Sequence, residues 1–450
     1  AQSLQWGYFS KPPMIAVAIW LSTHVCGDAE PCVRATSLIA YPLSALIIYA
    51  LTRRLYGPNA ALFAGIAFIT IPGISLSSLI ISTDVLLFLF WSVALYAFVR
   101  AIETDRWRDW LLVGLASGLG LQTKYTMGIF AVSALLYVLL DPGQRRQLRN
   151  PKVYAGATLA ALLFLPNILW NVANDFPTLR HTADISNLDS GVLHWGELAE
   201  FLGSQPFVYG PLLFALFVAA WFAPGRARDR RWLLLMCFSL PFLGIISLQA
   251  LFGRANANWA APTYVAATVL VAGYLFSVAS RPSWRWSVAV LAVAVNLGMA
   301  VAIYHYDAWT DLLGIERGRH NDPFKRARGW DRFAESVAPI LAAHPNARLL
   351  GDDRDLLSHL IYHIEPHPLS AAAWNPNAEL KSHFDLTTDI SSEIGQDFIY
   401  VTRRSQIPEL YRAFDRVTPL DEIEIIVHTD WRLRANVYLL EGFKGYEAIE

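Results

Sequence analysis

Apolar runs separated by short polar loops fill the first two thirds of the chain. A membrane-crossing helix needs roughly 20 apolar residues. Runs of that kind predict spans near 33–52, 59–73, 79–99, 110–123, 126–140, 153–171, 207–223, 232–251, 260–279 and 285–304. Residues 12–26 are apolar but short, and are bounded by Pro12-Pro13 and "CGDAEP". That pattern suits a helix lying along the membrane surface. The stretch 172–206 is polar enough to read as one long loop.

The pattern changes after residue 304. "NARLLGDD" (346–353) and "QDFIYVTRR" (396–404) are short apolar runs with polar ends, as buried strands are. "GWDRFAESVAPILAAH" (329–344) and "RDLLSHLIYHI" (354–364) have helical spacing. "DEIEIIVHTDWRLRANVYLLEG" (421–442) predicts a terminal hairpin. The expected fold is therefore mainly α: a polytopic membrane bundle over residues 1–304, then a small α/β domain over 305–450.

Composition agrees with this division. The chain is 54% hydrophobic and 16% charged, against roughly 25% charged in soluble globular proteins. Residues 1–304 hold 20 Lys+Arg and 13 Asp+Glu, and residues 305–450 hold 16 and 24. Three cysteines are too few for a disulfide framework. Cys26 and Cys32 flank "GDAEP", either as a local disulfide or as two thiols. There is no P-loop, Rossmann glycine pattern or zinc-type cluster. No basic stripe interleaved with aromatics is present, so nucleic acid is not an expected partner.

Charge also orients the bundle. "TRRLYG" (52–57), "RAIETDRWRDW" (100–110), "DPGQRRQLRNPK" (141–152), "PGRARDRR" (224–231) and "SRPSWRW" (280–286) hold 15 of the 20 basic residues of the membrane part. By the positive-inside rule they face the cytoplasm. The stretch 172–206, with one Arg and five acidic residues, then lies outside, as do residues 1–32 and the C-terminal domain. Ten spans that begin outside imply a further span before Ala1.

The ionisable and amide residues elsewhere in the membrane part fall at the outer ends of spans. They are Tyr8 and Lys11 in "GYFSKPPM", Asp84 in "STDVLLFLFW", and Lys124 and Tyr125 in "GLGLQTKYTMGIF". The others are Arg180 and His181 in "FPTLRHTADI", and Arg254, Asn256, Asn258 and Trp259 in "FGRANANWAAP". Charge in an apolar segment is costly and marks function by default. Lys11, Lys124 and Arg254 suit a phosphate and a phosphate leaving group. Asp84 suits a proton acceptor or a ligand of a divalent metal, and His181 a base or a second ligand. Local readings compete. Lys11 could snorkel, Asp84 could cap its helix, Lys124 could anchor at an interface, His181 could be an ordinary loop residue, and Asn256 and Asn258 could serve a turn. The functional reading rests on convergence at one face.

These motifs, in this order, resemble the bacterial GT-C-fold glycosyltransferases of the protein O-mannosyltransferase and aminoarabinose-transferase superfamily (glycosyltransferase family 39-like). The resemblance covers the membrane part. It implies transfer of a sugar from a polyprenyl-phosphate donor to an extracytoplasmic glycolipid, glycan or protein acceptor, usually with inversion. It implies donor-phosphate contacts by Tyr8, Lys11, Lys124 and Arg254. Asp84 and, more loosely, His181 become catalytic candidates, with Tyr125, Asn256, Asn258 and Trp259 near the substrates. The family's acidic first-loop motif would precede Ala1. Ser10 stands where aminoarabinose transferases have a glutamate metal ligand, which leaves Asp84 and His181 for a divalent ion. Two other readings remain. One is a transporter or flippase, for which "TIPGISLSSLIISTD" (70–84) would be a broken helix. The other is a lipid- or sugar-binding accessory protein.

Overall fold

The structure is a computed structural model that describes residues 3–186, 192–223, 229–276 and 284–449. The chain forms two compact units, residues 1–306 and 307–450.

The described residues of the first unit form helices and no strand. Among them, five helices are long and apolar enough to cross a membrane, Glu30–Tyr56, Thr83–Thr104, Pro151–Ala173, Arg230–Phe252 and Trp284–Tyr304, or up to seven if two bent pairs each count as one span. The remaining predicted spans are shorter helices: Trp107–Leu121, Tyr125–Leu140 and Thr263–Phe276. Part of the predicted span 260–279 and parts of the basic loops 224–231 and 280–286 lie outside the described residues. Burial separates centre from periphery. Thr83–Thr104 is buried along most of its length, while Pro151–Ala173 and Trp284–Tyr304 are largely uncovered. Thr263–Phe276 is hydrophobic all round and correspondingly buried almost throughout.

Both bent pairs break at proline, which lacks the N–H needed to continue a helix. Pro58–Ile69 and Pro72–Ser78 meet at 51°, at "TIPG". Trp195–Tyr209 and Pro211–Trp221 meet at 110°. At the second corner Gly210 has φ +100°, and the Asn296 side chain lies where a Cβ would sit. This corner corrects the sequence reading. The expected loop 172–206 holds the helices Pro177–Ser186 and Trp195–Tyr209, and the span expected from 207 begins at Pro211. Their polar residues depress hydropathy without preventing helix formation.

The residues before the first long helix fold as a short helix, Met14–Cys26, none of whose residues is fully buried. Cys26 and Cys32 form a disulfide.

Four basic loops meet at one end of the bundle. Arg54 pairs with Glu103, Lys152 with Asp105 at 2.7 Å and Arg230 with Asp141 at 3.7 Å. Arg231 closes the circuit by donating to the Leu55 carbonyl at 2.8 Å. These loops therefore share a face, whichever compartment it meets.

The second unit is a five-stranded sheet: β1 (Arg348–Gly351), β2 (Ala372–Ala373), β3 (Phe398–Thr402), β4 (Phe414–His428) and β5 (Trp431–Phe443). The spatial order is β2-β1-β3-β5-β4. β1 runs parallel to β2 and β3, and β5 is antiparallel to β3 and β4. Side chains alternate between faces. Leu349, Ile399 and Val401 pack with the helices Trp330–Ala343 and Arg354–His363. Leu350, Phe398 and Tyr400 pack with Trp374, Phe414 and Phe443.

Trp107–Leu121 and Pro151–Ala173 approach most closely at glycines, as membrane helices commonly do. A Cβ on Gly114 would overlap the Gly156 carbonyl, and one on Gly156 would lie 2.5 Å from the Trp110 carbonyl oxygen. Gly114→Ala or Gly156→Ala should cost about 1–3 kcal/mol, read as a lower Tm in detergent. Gly298→Ala, whose methyl meets nothing within 4 Å, should leave Tm nearly unchanged.

Candidate active site

Three helix-end loops and the opening segment converge at the end of the bundle away from the basic circuit. Ser82, with extended backbone, starts the helix Thr83–Thr104 and leaves Asp84 in its first turn. Negative charge is favourable there. Trp107–Leu121 ends at Gln122, so Lys124 follows in an extended link before the turn Tyr125–Gly128. The Lys124 ammonium donates to Asp84 Oδ1 at 2.7 Å, and both side chains are largely buried, 13% and 9% exposed. Asn258, in the turn Ala257–Ala260, donates from Nδ2 to Asp84 Oδ2 at 2.8 Å. Each oxygen of the carboxylate therefore has a fixed donor.

Lys11 joins this pair. Burial in the non-helical opening segment lowers its pKa, and the nearby Lys124 ammonium lowers it further. Asp84 partly opposes that by attraction. Lys11 is therefore a second cation within electrostatic range of the Asp84–Lys124 pair.

The opening segment is bracketed rather than loose. Asn167 Nδ2 donates to the Trp6 carbonyl at 2.8 Å, Trp170 Nε1 to Gln5 Oε1 at 3.1 Å and Thr178 Oγ1 to the Tyr8 carbonyl at 2.8 Å. The Met14 N–H donates to the Gln122 carbonyl at 2.9 Å, joining the segment to the loop that carries Lys124. Tyr125 belongs to the same frame. Its hydroxyl donates to Asn167 Oδ1 at 2.9 Å and accepts from Asn171 Nδ2 at 3.2 Å.

The other expected site residues are placed as follows. The Tyr8 hydroxyl donates to the Ser3 carbonyl at 3.0 Å and accepts from the Gln5 N–H at 3.3 Å, so these bonds fold the segment around Lys11. His181 stacks at a tilt on Phe9, ring centroids 4.9 Å apart. Arg254 is exposed and tied through its backbone to Ser186. Asn256 is exposed and starts the turn, and Trp259 is half-buried behind it. No hydrogen bond described here carries Arg254, Asn256 or His181 to the Asp84–Lys124 pair. The donor set does not suit a divalent metal. Asp84 is already paired with an ammonium, and no group of three His, Cys, Asp or Glu side chains is assembled among the described residues. No step below runs through a metal.

Two residues that the sequence reading missed hold the Asn258 turn. Gln205 Nε2 donates to the Ala257 carbonyl at 3.1 Å, while Gln205 Oε1 accepts from the Tyr264 hydroxyl at 2.6 Å. Tyr264 stacks on Tyr209 with centroids 4.3 Å apart. Gln205 fell in the presumed loop. Asn167 and Asn171 were also missed, although two amides four apart in an apolar span are a readable signal.

Asp84 and Asn258 border a cavity of about 370 Å³. Gly73 and Ser77 of the bent helix wall it, with Tyr264 beneath. A second cavity, of about 540 Å³ and almost wholly apolar, lies between Trp107–Leu121, Tyr125–Leu140 and Pro151–Ala173. It runs from Met127 and Gly128, just past Tyr125, to Gln147 and Leu148 at the basic end.

A bundle of membrane-length helices with a buried ion pair bordering one small cavity, and a second, almost wholly apolar cavity elsewhere in it, is the architecture of an integral-membrane protein with a charged site at one end. The comparisons make this specific. Residues 10–170 match the family described as dolichyl-phosphate-mannose-protein mannosyltransferase. The chain is 30% identical over 407 residues to the lipid A galacturonosyltransferase of Rhizobium johnstonii, covering 88% of this chain and 82% of that protein. It is 28% identical over 260 residues to the undecaprenyl phosphate-alpha-4-amino-4-deoxy-L-arabinose arabinosyl transferase 1 of Sodalis glossinidius, covering 52% and 44%. Its fold matches that of apo ArnT from Cupriavidus metallidurans with a TM-score of 0.64 at 17% identity, covering 96% and 88% of the two chains. The chain belongs to the GT-C glycosyltransferases of the protein O-mannosyltransferase and aminoarabinose-transferase superfamily. It is an integral-membrane glycosyltransferase.

Removing one partner of a buried ion pair strands the other charge, at about 3–5 kcal/mol. Lys124→Met alone should therefore lower Tm more than the double variant Lys124→Met/Asp84→Asn. A double-mutant cycle from thermal melts measures this coupling, and additive losses would contradict it.

Proposed function

We propose that the membrane unit binds a polyprenyl-phosphate sugar and transfers the sugar to an extracytoplasmic acceptor hydroxyl. One observation carries the reading. Lys124 is paired with Asp84 at 2.7 Å and a second cation, Lys11, lies within electrostatic range of both, so with both lysines protonated the cluster carries a residual positive charge. A phosphodiester completes it, and the same charges stabilise the phosphate that leaves. The apolar cavity beside Tyr125 supplies a groove for the polyprenyl tail. The cavity bordered by Asp84, Asn258, Ser77 and Ser82, with otherwise mostly apolar walls, supplies room for the sugar and the acceptor. The basic circuit at the opposite end supports an extracytoplasmic site, by the positive-inside rule.

Transfer then proceeds as follows. The acceptor oxygen bonds to the anomeric carbon from the side opposite the phosphate, and the bond from that carbon to the phosphate oxygen breaks. Charge grows on the leaving phosphate and draws the Lys124 ammonium toward it. Asp84 loses part of its ion pair and takes the acceptor proton. Inversion follows from the opposed approach. The names of the relatives point to a galacturonosyl or aminoarabinosyl group and a lipid A-type acceptor.

Undecaprenyl phosphate should raise the Tm of the detergent-purified protein. Lys11→Ala and Lys124→Ala should each weaken that binding about ten- to hundredfold, the equivalent of about 1.5–3 kcal/mol for a charged hydrogen bond. Equal shifts in all three proteins would reject the phosphate site.

The pH dependence has a defined sign. Lys11 has a depressed pKa in the folded protein. Folding with a charged Lys11 is therefore penalised at low pH, and the penalty fades as pH rises through that pKa. Phosphate binding needs the ammonium and runs the other way. Affinity should fall with rising pH before an ordinary lysine, near ~10.4, begins to titrate. Lys11→Arg should flatten this fall, as measured by binding titrations across alkaline pH.

A further inference from the structure

The soluble unit has a cavity of its own, separate from the membrane chemistry. It measures about 580 Å³, within the roughly 300–1,000 Å³ of small-molecule sites. Its position follows from topology. β1 is central among the three parallel strands. The chain leaves β1 through the helix Arg354–His363 to reach β2 on one side, then returns past β1 to β3 on the other. Strand order therefore reverses between β1 and β3. In open α/β sheets, ligands bind outside the carboxyl ends of the strands at such a reversal. The cavity is there, lined by Gly351 and Asp352 after β1, Trp374 to Asn377 after β2, and Arg404 after β3.

The lining selects the ligand class. Four carboxylates (Asp352, Asp353, Asp385, Glu409) face three cations (Arg354, Lys381, Arg404). The cations already have acidic partners on the chain. Arg404 pairs with Glu409 at 2.5 Å, Lys381 with Glu379 at 2.5 Å and Arg354 with Asp355 at 3.4 Å. No surplus positive charge remains for a phosphate. The carboxylates are also committed. Asp353 caps its helix by accepting from the Asp355 and Leu356 N–H groups and takes Arg403 at 2.8 Å. Asp385 accepts from the Lys381 and Ser382 N–H groups. Asp352 accepts from Thr402 Oγ1 at 2.9 Å. No three metal-ligating side chains are grouped among the described residues. What remains is a rigid set of amide, carboxylate and guanidinium edges beside aromatic rings. Trp374, 5% exposed, adds a buried indole N–H with no hydrogen-bond partner among the described residues.

We propose that this cavity binds a hydroxyl-rich saccharide, with Asp352, Asn377 and Arg404 bonding its hydroxyls and Trp374 contributing its indole. Vicinal hydroxyls offer donors and acceptors together, which suits a lining that mixes carboxylate, amide and guanidinium edges with no surplus of positive charge. The site goes beyond the transfer reading, because its residues all lie in the second unit. The saccharide is either a free sugar or the glycan of an envelope lipid.

The test uses the full chain in detergent and ligand-observed saturation-transfer NMR, with three probes: maltotriose, a core oligosaccharide freed of lipid A, and inorganic phosphate. The expected result is binding of one or both saccharides. That binding should weaken at least tenfold in both Asp352→Asn and Asn377→Ala, and persist in Lys124→Ala. Asparagine keeps an acceptor for Thr402, and Asn377 is exposed. Melting curves identify a variant that fails to fold, and the second variant then decides. Preference for the core oligosaccharide indicates a glycolipid glycan, and preference for maltotriose a free sugar. The proposal is overturned if neither saccharide binds, if only phosphate binds, or if Lys124→Ala abolishes binding while the cavity variants retain it. Loss of undecaprenyl phosphate binding with saccharide binding intact would reject the transfer reading alone.

Discussion

The buried contact between Asp84 and Lys124 is the constraint on which the membrane unit is organised. A carboxylate in the first turn of the most buried long helix is tolerable only with its charge answered. The answering ammonium comes from a different helix end, and the second oxygen is held by an amide from a third loop. Three separate chain segments are thereby fixed to one atom group. Lys11 lies near enough to feel both charges, which sets the pair beside a second cation.

The surrounding polar residues make sense as supports for that arrangement. Gln205 and Tyr264 hold the turn that presents Asn258. Gln122 accepts from Met14 and donates to the Leu163 carbonyl, joining the opening segment, the Lys124 loop and the peripheral helix. Each lies in apolar surroundings where an unmade hydrogen bond is expensive. They restrict motion of the loops more than they add net stability.

The sequence made some of this legible and hid the rest, for physical reasons. Lys11, Asp84 and Lys124 stand out because a charge in an apolar chain has few harmless explanations. The strands of the second unit were readable because Leu349-Leu350 and Phe398–Val401 are buried on both faces. Asn167 and Asn171 were not read as structural because the apolar residues around them outweigh two amides in the average of the span, and Gln205 because it fell in the stretch taken for a loop. The helices within 172–206 were hidden by acidic residues, Gly203 and Pro206, which lower local hydropathy while the backbone stays helical. Tyr8 and Tyr125 were assigned to substrate by motif. Their hydroxyls also bond to the chain, which no spacing rule reveals.

The helix Pro151–Ala173 serves two structures at once. One stretch walls the apolar groove through Ala157, Ala160 and Phe164, and the next turns grip Trp6 and Gln5 through Asn167 and Trp170. It is also among the least enclosed of the long helices, so its outer side is left to lipid. The wall of the groove and the anchor of the Lys11 segment are therefore one continuous element, and neither is placed without the other.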